Sequence, residues 1–242
     1  MDPAFSKGNS FDAQGGEMIL IDKELDWTSF DVVKRIRNVI YHKLGVKKCK
    51  VGHAGTLDPL ATGLLIVCTG RMTKKISGIQ DGEKEYTGRF RFGQTTPSFD
   101  RETEVDNEWP WEHITEEDIQ KEMDKFVGTI QQTPPVFSAK KIDGKRAYHS
   151  ARAGKAIKMR PQIIDIDKFE LLEFTPPEIA FKVVCSKGTY IRSLANDLGK
   201  ALESGAYLAE LRRTRIGEYK VEDAMKIREL EQKIEQFAAS AG

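Results

Sequence analysis

The sequence predicts an α+β fold with a largely antiparallel mixed sheet and flanking helices. Some segments alternate apolar and polar residues with the period of a strand, and others repeat apolar residues with the period of a helix. Two strand-like runs meet around Pro176-Pro177, which favours antiparallel pairing. Strands and helices do not alternate in the regular order of a parallel α/β sheet, so α+β is the class that fits best.

The strand predictions are carried by four segments. Met18–Asp22 is a short apolar strand, and Ile163–Phe174 with Glu178–Ser186 forms a hairpin. Lys84–Gly93 alternates clearly, because residues 86, 88, 90 and 92 are aromatic or small and residues 85, 87, 89 and 91 are polar or charged. The face of this strand that we expect to be buried carries Tyr86, Gly88, Phe90 and Phe92.

Helix starts are marked by capping residues. Thr28 or Ser29 caps a first helix that has Asp31 in its first turn. Thr115 followed by Asp118 predicts a capping box for an acidic helix over 116–127. Two later helices are predicted, one capped by Thr189 and a short one over 223–237.

Domain organisation follows from composition. Residues 1–17 are polar and aperiodic, and we predict a disordered leader or tag remnant. Residues 18–222 form one predicted domain, in which 134–160 is a basic insertion with a short helix around 145–153. Residues 223–242 are expected to hold only a short helix and tail, with no further domain appended to the first.

Composition excludes several classes of protein. The chain has 242 residues, of which 39% are hydrophobic and 31% charged, as in an ordinary globular domain. Its apolar runs are too short for a membrane span, and no signal peptide precedes them. Three scattered cysteines and four scattered histidines indicate neither a disulfide framework nor a metal site, so we expect a cytoplasmic protein without metal.

The net charge of +1 conceals segregated blocks of charge. Residues 34–50 hold seven Lys/Arg and no acid, and residues 134–160 hold eight against one acid. Residues 102–124 hold ten acids against one base. Each block alone could be a solvated surface. Two basic blocks in one neutral chain favour a nucleic-acid partner.

The segment 52–63, Gly-His-Ala-Gly-Thr-Leu-Asp-Pro-Leu-Ala-Thr-Gly, is the most unusual in the chain. Three glycines and a proline rule out an uninterrupted helix or strand, yet the segment is too apolar for a casual surface loop. We therefore expect an ordered loop that holds Asp58 partly buried. On composition alone, Asp58 before Pro59 could equally be a turn residue.

The whole segment closely resembles the catalytic motif of the TruB family of pseudouridine synthases, which act at position 55 of tRNA. Further matching segments follow in the family's order, from about residue 18 to about residue 222, and together they are far more specific than any one alone. They are Lys23 with Trp27-Thr28-Ser29, Lys84-Glu85-Tyr86, Pro134–Ala139 with Gly144–Tyr148, Ser186–Arg192 with Asp197-Leu198-Gly199, and Leu211-Arg212-Arg213.

The resemblance implies a pseudouridine synthase fold and a catalytic set. Asp58 is the implied catalytic carboxylate, and Arg192 is its expected partner, which would hold it ionised. Tyr86 is expected to stack on a uracil that has left the RNA stack, and its hydroxyl to help remove the C5 proton. Taken without the resemblance, Tyr86 would be a core tyrosine and Arg192 a surface arginine.

The same resemblance implies residues that bind substrate. Tyr190 would line the pocket, His53 would support the RNA loop, and Leu211 would pack beside the base, although His53 and Leu211 could equally be structural. The insertion 134–160 would clamp a stem-loop. The predicted phosphate contacts are Lys23, Lys140, Lys141 and Arg146.

Some positions depart from the family pattern. Glu24 and Asp26 stand where Pro and Gly are common, and Pro97 stands where many members have Asp, a role that Asp100 could take. The implied activity needs no cofactor, and the implied partner is the T-arm of tRNA, bound by a monomer without an obligatory protein partner. The alternatives are a synthase for another RNA and an RNA-folding protein with secondary catalysis.

Overall fold

A computed structural model describes residues 3, 5, 11–137, 141–142, 145–146 and 159–240. The chain divides into two compact units, residues 1–85 with 212–242 and residues 86–211. It passes between them within β4 (Lys84–Phe92) and within β12 (Ala206–Ile216). The span that we predicted as one domain thus contributes to both units.

The first unit is built around β3 (Ala61–Thr69), which pairs antiparallel with β1 (Met18–Lys23) and β2 (Val51–His53). Side chains alternate across these strands, so each strand faces two cores. Ile19 and Ile21 pack in one core with the helices, whereas Met18 and Leu20 pack in the other. A short strand, β13 (Tyr219–Lys220), pairs with the end of β12.

The α-helices in the described part of the first unit are α1 (Ser29–Leu44), α2 (Ile76–Asp81) and α5 (Ile227–Ser240). Thr28 is the N-cap of α1, and with Asp31 it forms a complete capping box. This confirms one of the two caps that the sequence suggested. The buried faces of α1 and α5 pack in the same core as the odd-numbered residues of β1.

The N-terminal segment differs from the prediction where it is described. Phe11 and Ala13 are buried in the first unit, and the main chain of Glu17 exchanges hydrogen bonds with Thr69. The expected disordered leader therefore does not describe residues 11–17. Burial of Phe11 contributes about 1.5–3 kcal/mol, and the smaller Ala13 adds less, which favours packing of this polar stretch on the core.

The second unit is built on an antiparallel array in which β10 (Gln162–Thr175) lies between β11 (Glu178–Cys185) and β7 (Gly128–Gln132). The predicted hairpin at Pro176-Pro177 is confirmed. The core of the second unit is aromatic. The Phe90 and Phe181 rings stack with centroids 4.0 Å apart, and the Phe169 ring meets both edge-on. The predicted burial of Tyr86, Phe90 and Phe92 is confirmed as well.

In the described part of the second unit, the helices are α3 (Glu116–Asp124) and α4 (Ile191–Ala201). The predicted capping box of Thr115 and Asp118 is confirmed. Thr189 was predicted as a cap, but Tyr190 takes the N-cap position of α4, and Thr189 donates to the carbonyl of Ser186 instead.

Two short hairpins complete the second unit. The first pairs β5 (Gln94–Thr95) with β6 (Asn107–Glu108), and the second pairs β8 (Lys141–Ile142) with β9 (Lys145–Arg146). The sequence predicts a helix around 145–153. Residues 145–146 instead belong to β9, and residues 147–153 lie outside the described residues. Among the helices that are described, none has the length and hydropathy to cross a bilayer.

Candidate active site

Asp58 lies on an ordered loop that joins β2 to β3, in the first unit. Ser29 holds this loop from α1, because its hydroxyl accepts from the amide of Leu57 at 2.8 Å and donates to the Leu57 carbonyl at 3.1 Å. The Asp58 carbonyl accepts from the amide of Ala61. Leu57 is buried and Asp58 half-buried, as the composition of the segment predicts.

Gly63 shows why the segment needs its last glycine. Its φ is +99°, a conformation that side chains other than glycine strongly resist. A Cβ built there would also lie 2.3 Å from the carbonyl oxygen of Arg213. The glycine therefore lets the loop return into β3 in contact with the main chain of β12.

Lys23 is buried beneath the loop, with 1% of its surface exposed. Its ammonium donates to the carbonyls of Glu24, Trp27 and Pro59, at 2.9, 2.6 and 3.3 Å. Burial lowers the pKa of Lys23 to about 8, and the nearby Asp58 charge opposes that shift. The Lys23 side chain lies on the inward-facing side of β1. Its ammonium therefore stabilises the loop and is not exposed for contact with a phosphate.

His53, at the end of β2, is half-buried. Burial lowers its pKa, so the imidazole is neutral at pH 7. Its Nδ1 atom is buried and makes no hydrogen bond within the described part of the chain.

Arg192 is held in the second unit by a buried acid. Its Nε lies 3.5 Å from Oδ2 of Asp100, and both side chains are more than nine-tenths buried. Its Nη1 donates to the carbonyl of Ser98 at 3.2 Å. Asp100 in turn accepts from the Ser98 hydroxyl at 2.6 Å and from the Glu102 amide at 2.9 Å. Arg192 therefore has a fixed position, as a residue that orients a substrate or a carboxylate needs.

Tyr190 precedes Arg192 and is fixed through its main chain. Its amide donates to Oε1 of Gln132 at 2.8 Å, and its carbonyl accepts from Nε2 of the same side chain at 3.1 Å. Tyr86 on β4 is buried, and Leu211 on β12 is half-buried. The second unit thus contains Tyr86, Tyr190, Arg192 and Leu211, and the first contains His53 and Asp58.

The predicted phosphate contacts of the insertion are described only in part. Lys140 lies outside the described residues, and the backbones of Lys141 and Arg146 are paired in the register of β8 and β9. Their contribution to RNA binding stays a prediction.

Two family models together match residues 42–240. Residues 42–191 match the TruB family pseudouridylate synthase N-terminal domain, and residues 192–240 match the tRNA pseudouridylate synthase B C-terminal domain. The chain belongs to the TruB family. Its fold class and its enzyme class, an isomerase that makes pseudouridine, follow from that membership and confirm the resemblance of the sequence motifs.

Relatives in the TruB family are similar over almost their full length. A tRNA pseudouridine synthase B of Phocaeicola vulgatus is 55% identical over 88% of this chain and 90% of its own. One of Flavobacterium johnsoniae is 53% identical over 91% of this chain and 96% of its own.

Solved structures agree with the fold. A crystal structure of a Cbf5-Nop10-Gar1 complex matches with a TM-score of 0.70 at 26% identity. The match covers 98% of this chain but only 63% of that one. An H/ACA RNP bound to a substrate RNA containing 2′-deoxyuridine matches with a TM-score of 0.66 at 27% identity, over 91% of this chain and 53% of that one.

Two residues of the site were not among the predicted site residues. Asp100 was expected only to replace a polar group, and the structure shows that it is the buried acid against Arg192. Arg213 belongs to a matched TruB motif, but the motif gives it no role. In the structure its guanidinium donates to main-chain carbonyls of the loop of Asp58. Their patterns gave little signal, because each role depends on a contact between residues distant in the sequence.

Proposed function

We propose that this protein isomerises uridine 55 in the T-loop of tRNA to pseudouridine, with Asp58 as its catalytic carboxylate. The observation that carries the proposal is the ordered loop of the TruB motif, which holds Asp58 half-buried. The names of relatives that are more than 50% identical support tRNA as the substrate. The choice of uridine 55 rests on the role of the family.

The reaction needs no reactant beyond the RNA. The C1′–N1 bond of uridine breaks, the uracil turns, and a C1′–C5 bond forms. The proton leaves C5 and N1 gains one, so atoms and electrons balance without a cofactor. A carboxylate suits this work because it can attack the sugar or the base, or remove a proton.

We assign the remaining roles from the family motifs. Arg192 would orient the Asp58 carboxylate and hold it ionised, and its fixed position against Asp100 supports that role. Tyr86 and Tyr190 would enclose the flipped uracil, and Leu211 would pack beside it. His53 would support the RNA loop once the base has left.

Binding is proposed to use the basic insertion. Lys140, Lys141 and Arg146 would contact phosphates of the T-arm, which would make affinity depend on salt. We propose that the protein acts as a monomer in the cytoplasm, without an obligatory protein partner.

Mapping of pseudouridine tests the proposal directly. Purified protein is incubated, without added cofactor, with unmodified tRNA, with the same tRNA carrying cytidine at position 55, and separately with unmodified ribosomal RNA. We expect one new pseudouridine, at position 55 of the first RNA and none in the second. Product at another position, or only in ribosomal RNA, would assign a different substrate. Absence of product in tRNA and ribosomal RNA alike would leave an RNA-folding role as the better account.

A further inference from the structure

The loop of Asp58 is fastened through its main chain from two sides. From α1, Ser29 binds both polar main-chain groups of Leu57. From the end of β1, Lys23 and the amide of Asp26 both donate to the carbonyl of Pro59. These contacts fix the residues immediately before and after Asp58.

Arg213 of β12 adds a third point of attachment. Its Nη2 donates to the carbonyl of Gly55 at 3.1 Å and its Nη1 to the carbonyl of Thr56 at 3.4 Å. Its Nε donates to the carbonyl of Leu64 at 2.8 Å. One rigid, planar guanidinium therefore joins the start of the loop to the strand that follows it, and Asp58 lies between.

The burial of Arg213 indicates a specific role for its charge. Only 1% of its surface is exposed. Removing a guanidinium from water is unfavourable, and buried arginines usually have a carboxylate partner. Within the described residues, every hydrogen bond of the Arg213 side chain goes to a main-chain carbonyl of the stretch 55–64. The cation is thus directed at one loop.

The neighbourhood carries a second buried cation. Lys23 lies close enough to both Asp58 and Arg213 for their charges to affect its titration in opposite directions. The two cations share one task from different strands, because each donates to carbonyls of the loop that carries Asp58. A loop of negative carbonyl ends held by two positive groups has little freedom to move.

We propose that Arg213 is a positioning residue for Asp58. It fixes residues 55–64, which comprise most of the loop and the start of β3. The Asp58 carboxylate is thereby held in the geometry that reaction with the uridine needs. The role rests on the proposed function of Asp58. Arg213 need not contact RNA, because its guanidinium is buried and already used by the loop.

The test compares Arg213→Lys and Arg213→Met with Arg215→Met, a matched control. Arg215 is two residues further along β12 and bonds to Gly217 and Glu83, away from the loop. Single-turnover rates at saturating tRNA, tRNA dissociation constants and amide hydrogen exchange of residues 54–64 are measured on each folded protein.

A displaced catalytic group costs about 100-fold in rate when it moves by about 1 Å. We therefore expect Arg213→Met to lose about 100-fold in rate with a dissociation constant within about twofold of wild type. Arg213→Lys, which keeps the charge, should recover part of the rate. Exchange should accelerate in residues 54–64 of both variants and not in Arg215→Met.

Two results would overturn the proposal. One is a folded Arg213→Met or Arg213→Lys protein with the wild-type rate, and the other is a loss of RNA affinity that accounts for the whole loss of rate. If Arg213→Met does not fold, Arg213→Lys decides alone. Failure of the proposed function is separate, since it would show as no product from the wild-type protein, while hydrogen exchange would still report whether Arg213 fastens the loop.

Discussion

At the scale of single residues, buried charge is the feature that connects stability to the site. Arg192 and Asp100 are a buried pair whose carboxylate is further held by Ser98 and Glu102. Such a pair contributes little net stability, but breaking it leaves one charge uncompensated in a medium of low polarity. Asp100 is therefore expected to matter both to folding and to the orientation of Arg192.

We expect Asp100→Ala to lower the free energy of unfolding by about 3–5 kcal/mol, because it leaves the Arg192 charge buried without its acid. Asp100→Asn should cost less, since its amide oxygen can still accept from Ser98 and Glu102. Urea denaturation of the three proteins measures the differences. Equal stabilities for wild type and Asp100→Ala would show that the pair is not formed in solution.

Lys23 predicts a dependence of stability on pH. Burial lowers its pKa in the folded protein to about 8, from an ordinary value of 10.5. Between these values the unfolded chain binds more protons at Lys23 than the folded one, so stability rises with pH. We expect the stability of the wild type, relative to Lys23→Met, to increase from about pH 8 to about pH 10. A constant difference in urea titrations over that range would contradict the shift.

At the scale of elements, glycines determine how closely strands and loops approach. Gly88 on β4 would place a Cβ 2.2 Å from the carbonyl oxygen of Glu210 on β12. Gly63 meets the main chain of Arg213 in the same way and also has a positive φ. By contrast, a Cβ added at Gly78 in α2 would meet nothing within 4 Å, and the backbone there has no unusual angle.

We expect Gly63→Ala to lower the free energy of unfolding by about 3 kcal/mol, from backbone strain and overlap with β12. Gly78→Ala is the matched control, and it should raise stability by about 0.5–1 kcal/mol because alanine favours a helix interior. Thermal or urea unfolding compares them. Similar changes in the free energy of unfolding for the two substitutions would show that close packing does not require glycine at position 63.

Local patterns predicted many elements of this fold. The alternation in 84–93, the hairpin at Pro176-Pro177, the N-cap at Thr28 and the capping box at Thr115 depend on neighbours in sequence, and all are confirmed. The burial of Phe11 was missed because its neighbours are polar, and only packing against the core decides its place.

The candidate site was predictable to a similar extent. The motif identified the ordered loop of Asp58, because glycine and proline spacing is local information. It did not identify Asp100 or Arg213, whose partners are distant in the chain. The sequence predicts Lys23 as a phosphate contact. In the structure its side chain lies on the inward-facing side of β1 and stabilises the loop through a hydrogen bond.

At the scale of the whole molecule, segregated charge supports an RNA partner, with one refinement. Part of the basic block 34–50 is paired internally, because Arg35 bonds to Glu231 and Lys43 to Glu235, both on α5. These two cations are less available to phosphates. The insertion 134–160 therefore remains the better prediction for the main basic contact with RNA.

Neutralising Lys140, Lys141 and Arg146 to Gln should weaken tRNA binding and reduce the slope of log affinity against log salt by about three, one for each phosphate contact. The control neutralises three lysines in or near acidic stretches, Lys121, Lys125 and Lys168, so that the net charge is the same. Filter binding over a range of salt gives both slopes. An unchanged slope in the first variant would assign the insertion to solvated surface.

The most direct test of Asp58 uses tRNA labelled with tritium at C5 of uracil. Isomerisation joins C5 to the sugar, so the C5 hydrogen is released to water, and binding alone cannot release it. We predict that the wild-type protein releases the label from position 55, and that Asp58→Ala binds the same tRNA without releasing any. Release of tritium by folded Asp58→Ala at the wild-type rate would contradict the central claim.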